Sequence, residues 1–290
     1  MRDALALVCE AAAKAAVYLA VQVAVGVGTG RWLAHLAFSD STTAPEGLWF
    51  AHRLRRMAWW TALCLLLATA LRAIAHTITV FGTPNAAAVW TIAIESRWGH
   101  GWQLQIAAAA LLIASATALR VQGDQRMTWH IYIASALTCC VSLPLLGHGA
   151  GSAWRMALHA AHVAASGVWL GTLAVLAALL PALGRIEVRA PQRVIVRFAV
   201  FALPAATLVV ATGVIAALDV NEIAQLFNTV YGRTLILKVS LVAMVVAGGA
   251  FNWRRSRQGE PPRLGGIVCE LGTALLVVIV TAFLTELEHP

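Results

Sequence analysis

The chain has 290 residues, of which 60% are hydrophobic and only 12% charged, with a formal net charge of +8 and a mean hydropathy of +0.77. A soluble domain carries about 25% charged residues, and so much apolar surface cannot hide in one aqueous core of this size, so lipid is the natural solvent. A soluble globular fold is thereby excluded, and a nucleic-acid partner is not expected: the arginines lie in short connections, where positive charge orients a membrane protein.

Eight apolar runs each have room for the roughly 20 residues that a helix needs to cross a bilayer. In chain order they are approximately Leu5–Val27, Met57–Ile78, Gly101–Leu119, His130–Gly147, Trp154–Leu183, Val194–Leu218, Thr234–Trp253 and Leu264–Leu284. The first run lacks a cleavage site and is interrupted by Glu10 and Lys14, so it reads as a retained span rather than a signal peptide. The apolar stretch Pro84–Ile94 is too short to cross and is expected in the interface or as a re-entrant segment. No sheet is expected, because open strand edges cannot be satisfied in lipid. The fold class is therefore all-α: one polytopic membrane helical bundle over residues 1–290, with a three-helix part (1–127) and a five-helix part (128–290).

Fourteen arginines follow the odd-numbered spans: Arg31, Arg53, Arg55, Arg56, Arg120, Arg126, Arg185, Arg189, Arg193, Arg197, Arg254, Arg255, Arg257 and Arg263. Four (Arg2, Arg97, Arg155 and Arg233) lie on the other side. The asymmetry predicts odd-numbered connections in the cytoplasm and both termini on the outer, periplasmic side. Trp59, Trp60, Trp98 and Trp102 fall near span ends, where indoles prefer the headgroup level. Gly167-x-x-x-Gly171, Gly248-Gly249 and Ala107–Ala110 permit close helix approach. The five cysteines, Cys9, Cys64, Cys139, Cys140 and Cys269, lie within or at the ends of apolar runs and do not form a disulfide framework.

On this topology five of the nine histidines share the outer part of the bilayer: His76, His100, His148, His159 and His162. Imidazole is the commonest metal-ligating side chain and suits copper and zinc. His159 and His162 stand three apart and share a helix face, with Cβ atoms about 5–6 Å apart. Met156, three residues earlier, offers a thioether on nearly the same stripe, and His148 lies in a Gly147-His148-Gly149 turn with room for an ion to approach. The candidate metal residues are thus His148, His159, His162, His76, His100 and Met156. A single membrane histidine also serves packing and hydrogen bonding, methionine also fills gaps, and Cys139 and Cys140 suit a buried apolar role as well as soft ligation. Arg72 and Lys238 fall inside spans, where ionisable groups face a partner or a watery cavity. Glu10, Asp219 and Glu222 are candidate partners for them, and Glu270 has a similar intramembrane place. No phosphate loop, His-Glu-x-x-His helix or nucleophile elbow occurs, so neither ATP-driven pumping nor enzymatic chemistry is expected.

The run His162-x6-Trp169-Leu170-Gly171 resembles the copper resistance protein D (CopD) family, with Thr172 where the family has a second glycine. Arg197-Phe198, Thr212-Gly213, Tyr231-Gly232-Arg233-Thr234-Leu235-x-x-Lys238, Asn252 and Glu270 follow in the family's order and spacing. The resemblance is densest over 148–284. In the first three spans it rests on helix count and Trp98-Gly99-x-x-Trp102. It implies an eight-helix protein of the bacterial inner membrane that moves copper, as Cu(I) or Cu(II), from periplasm to cytoplasm. A periplasmic copper-binding protein is the candidate donor, and His162 and His148 map onto the family's histidines. Two other readings stay open: a haem b electron-transfer protein, since paired histidines also ligate haem, and a copper sensor or assembly partner that binds without transporting.

Overall fold

A computed structural model describes residues 4–38, 45–147, 152–220, 228–258, 260 and 264–284. The described residues form helices and the turns between them, without strands. The order is α1 (Ala4–Phe38), α2 (Pro45–Phe81), a short α3 (Ala86–Trp90) running into a π-helical turn (Thr91–Glu95), α4 (Arg97–Val121), α5 (Arg126–Leu145) and α6 (Ala153–Ser166). A second π-helical turn (Gly167–Gly171) follows, then α7 (Thr172–Ile186), α8 (Ala190–Val220), α9 (Val230–Arg257) and α10 (Leu264–Leu284). Eight helical stretches are long and apolar enough to cross a membrane, with α6, the second π turn and α7 forming one of them. The chain is thus a multi-pass helical membrane bundle.

The helices overrun the apolar stretches that predict them. The 37 residues of α2 reach about 55 Å at 1.5 Å per residue, against a hydrocarbon core of about 30 Å. The excess is the segment from Glu46 to Arg56, where three arginines and Trp49 continue the helix beyond lipid. There Arg53 lies over the Trp49 ring.

Contacts between distant elements fix the two ends of the bundle. Arg31 pairs with Asp124 at 2.8 Å, Arg120 lies over Trp59, and Arg193 reaches Glu46 at 3.3 Å and also bonds Glu187. The connections after α1, α4 and α7 therefore meet at one arginine-rich end. At the opposite end Glu10 meets His76, and His76 meets Trp98. There Asn85 caps α3, Gln103 Nε2 donates to Ala93 O, and Ser96 caps α4. The Pro84–Ile94 stretch is thus a short helix with a π turn lying against the start of α4.

Helix α1 is the axis of the bundle, in contact with α2, α5, α6, the second π turn, α7, α8 and α10. Lipid tails are as apolar as leucine, so packing rather than hydrophobicity must hold helices together, and glycine allows the closest approach. A Cβ on Gly26 would strike the backbone of Gly171 and Thr172, and one on Gly171 would strike the Gln22 carbonyl. Gly167 lies against Val25, where an added Cβ would come within 2.6 Å of the valine Cβ. The spacing Gly167-x-x-x-Gly171 therefore seats the π turn on α1. In contrast, α9 packs chiefly on α10 and leaves Leu237, Val239, Met244 and Phe251 facing outward.

Candidate metal-handling site

The site grows from α1. Glu10, Lys14, Tyr18 and Gln22 are four residues apart, so they stack along one side of the helix, and the stripe ends at the Gly26–Gly171 crossing. Glu10, Lys14 and Tyr18 are buried. Read from the sequence, Glu10 and Lys14 interrupt an apolar run, and Glu10 is a candidate partner for Arg72 or Lys238. Their four-residue spacing, continued by Tyr18, is the signal that marks a functional face.

At the upper end of the stripe His76 Nδ1 lies 2.8 Å from Glu10 Oε1. The His76 ring stacks on Trp98 with centroids 4.3 Å apart and an interplanar angle of 16°. Arg72, one turn back on α2, lies 6.0 Å from the centroid of the same indole, and Trp102 Nε1 donates to Thr69 O at 2.9 Å. Trp98 and Trp102, expected as interface anchors, thus clamp α4 to α2 and hold the His76 ring.

One turn below Lys14, Tyr18 Oη lies 3.2 Å from His159 Nε2, and the two rings stack with centroids 6.2 Å apart. Lys14, Arg72 and Lys238 all lie within electrostatic reach of His159. His162, the next residue of that α6 face, turns to α8, where its Nδ1 is 2.9 Å from Thr212 Oγ1. The threonine has one hydroxyl proton, and it is directed to the backbone carbonyls of Leu208 at 2.6 Å and Val209 at 3.1 Å. Thr212 Oγ1 must therefore accept from His162 Nδ1–H. In the neutral form of the ring that bond puts the proton on Nδ1 and the lone pair on Nε2, the arrangement in which a histidine binds a metal. Gly213 lies beside the ring, where an added Cβ would make ordinary contact at 3.5 Å from His162 Cε1.

The second π turn begins five residues after His162. Such turns are rare in helices and concentrate at functional sites. Here the extra residue in the turn accompanies the glycine crossing with α1, with Trp169 buried beneath it.

The expected metal residues separate into three groups. His159 and His162 are neighbours between α1 and α8. His76 belongs to the same polar stripe but at the level of Glu10. His100 is exposed on α4 and Met156 is half-buried one turn before His159, and among the described residues neither makes a polar contact with the other candidates. His148 lies outside the described residues, as do Glu222 and the side chain of Asp219. Among the described residues no three His, Cys, Asp or Glu side chains come together as a metal-binding group. Cys139 and Cys140 are buried in the packing of α5, whereas Met244 is 61% exposed on α9.

The residues that carry the family resemblance meet in space across long sequence separations. His162 meets Thr212 and Gly213, and Asn252 Nδ2 donates to Glu270 Oε2 at 3.2 Å. Trp169 and Phe198 line one cavity between α7 and α8. No protein-family model, curated protein or solved structure matches the chain.

Proposed function

We propose that this chain is a copper transporter of the CopD type, lying in the bacterial inner membrane with its arginine-rich end in the cytoplasm and both termini in the periplasm. The observation that carries the reading is the His162–Thr212 pair. A threonine whose proton is already engaged holds a neutral imidazole with Nε2 offered to a metal, one helical turn from a second imidazole. Copper, handed over by a periplasmic copper-binding protein, is received by His162 and His159 and passes inward between α1, α6 and α8. His148 joins this outer site by the resemblance, and His76 with Glu10 forms a flanking station.

Charge favours transit over storage. Lys14, Arg72 and Lys238 around His159 repel a cation that settles there, and conduction needs binding strong enough to admit an ion but weak enough to release it. A sensor or assembly partner instead needs a closed, high-coordination site, and the described residues offer only pairs of imidazoles and carboxylates. The haem reading is disfavoured by geometry, because bis-histidine ligation requires rings on opposite faces of the macrocycle, whereas His159 and His162 share one helix face.

The test is copper flux into proteoliposomes. His162→Ala and His159→Ala should each lower the rate, and the double variant should abolish it with the fold intact by thermal melting. Wild-type flux in the double variant would overturn the assignment, and a Soret band in the purified protein would favour haem.

A further inference from the structure

At the arginine-rich end a second polar site is built into the α9–α10 pair, remote from the imidazoles. Glu270 on α10 is 6% exposed, although it sits inside a membrane-spanning helix. Its carboxylate lies over Gly249 of α9, where a Cβ would come within 3.1 Å of Oε1. Reciprocally, Asn252 of α9 lies over Gly266 of α10, where a Cβ would come within 2.8 Å of Oδ1. Each helix thus places a glycine beneath the other's polar side chain. The two side chains meet through the Asn252 Nδ2–Glu270 Oε2 bond.

Both residues line a cavity of about 270 Å³ between α7, α8, α9 and α10. Its walls are apolar, from Leu173 and Leu176 to Phe198 and Ala202, and its polar lining is Asn252, Trp253, Arg255, Glu260 and Glu270. The charges facing Glu270 are therefore few. From α9 there is Arg255, whose guanidinium is bonded to Glu260 of the α9–α10 connection. Among the described residues α1, α7 and α8 add no charged side chain to the lining. Lys238, on the same helix as Asn252, is 14 residues away, or about 21 Å along the axis, and belongs to the histidine site.

A carboxylate buried in a spanning helix without a cation of its own is costly in its charged form. The carboxylic acid has no such cost, and the cavity it lines also reaches Arg255 and Glu260 at the polar end of α9. Asparagine is the partner that suits both forms: its amide N–H donates to a carboxylate, and its carbonyl accepts from a carboxylic acid. One carboxylate and one amide are hard oxygen and nitrogen groups, poorly matched to copper.

We propose that Glu270, held by Asn252, is a reversible proton-binding site that exchanges protons with the arginine-rich side through this cavity. The step is the simplest acid–base equilibrium: water delivers a proton to the carboxylate oxygen and later takes it back. On the transport reading above, this site makes copper movement proton-linked. That would supply a driving force to a chain with no nucleotide-binding motif.

The experiment is infrared difference spectroscopy of the full-length protein in lipid, stepping the pH without copper. The expected result is a carbonyl band of a buried carboxylic acid that titrates reversibly. It should be lost in Glu270→Gln, retained at a shifted frequency in Glu270→Asp, and moved in Asn252→Ala. Gel filtration and thermal melting would show that the variants fold. Absence of the band, or its persistence unchanged in Glu270→Gln, overturns the proposal. Because no copper is present, failure of the copper reading leaves this result untouched. Copper flux measured separately in the same vesicles tests that reading on its own.

Discussion

The seating of the π turn on α1 is the most exposed point of the architecture, and Gly171→Ala tests it. The added Cβ would meet the Gln22 carbonyl well inside the 3.0 Å that real Cβ atoms keep. Both groups are helical backbone, so no side-chain rotation relieves the clash and the two helices must part. Overpacking of this kind costs about 1–3 kcal/mol, and the rigid partners place Gly171→Ala near ~3 kcal/mol, which is roughly a hundredfold shift in the folding equilibrium. Gly248→Ala is the control: nothing lies within 4 Å of its added Cβ, and alanine in place of a helical glycine gains about 0.4–1 kcal/mol. Thermal or denaturant unfolding in the same detergent compares the two. Gly171→Ala should melt several degrees below wild type and Gly248→Ala at or above it. Equal stabilities, or a more stable Gly171→Ala, would refute the close crossing and with it the placement of His162 relative to α1.

Thr212→Val removes the group that orients His162 while keeping its shape, so copper affinity should fall by about 10-fold or more, as for other partners of metal-bound histidines. Titration of purified protein with copper checks it, and Thr212→Ser should restore most of the affinity. Glu10→Leu leaves His76 without its carboxylate partner and should cost about 1–2 kcal/mol by chemical denaturation, since a half-buried hydrogen bond to a charged group is lost. Cys139 and Cys140 should resist a water-soluble maleimide in the native protein and react only on unfolding, as mass spectrometry would show. An alkaline-phosphatase fusion to the C-terminus should be active and one to the α7–α8 connection inactive. The reverse would invert the orientation.

Much of this was legible in the sequence, for reasons that differ element by element. The eight spans follow from apolar runs that lipid demands, and the pairing of His159 with His162 follows from a three-residue spacing on any helix. The resemblance motifs singled out Thr212 and Gly213 by order and spacing, but that they meet His162 shows only once α6 and α8 are side by side. Less legible was anything that depends on which helices touch. Glu10 read as a candidate partner for Arg72 or Lys238 rather than for His76, and Lys14 only as a break in an apolar run, because His76 and the surroundings of His159 are more than 60 residues away. Trp98 read as an interface anchor because stacking on His76 cannot be seen until α2 and α4 are side by side. The overrun of α1 and α2 was hidden for a different reason: hydropathy reports where lipid ends, and helical hydrogen bonding continues past that point. The π turn at Gly167–Gly171 leaves only a pair of glycines as its trace, the same mark that an ordinary close crossing leaves.

The arrangement of charge along the bundle distinguishes its two polar sites. The imidazole site has Lys14, Arg72 and Lys238 within electrostatic reach, while Glu10 is bonded to His76. The α9–α10 site holds a carboxylate whose neighbouring arginine is engaged elsewhere. On the transport reading, copper arriving among the imidazoles raises an already positive local charge, which favours its release. Neutralising Lys238 should therefore tighten copper binding while slowing its release, raising affinity and lowering flux together. A Lys238→Met variant that weakened binding would refute the electrostatic account, because removing a nearby positive charge can only favour a bound cation.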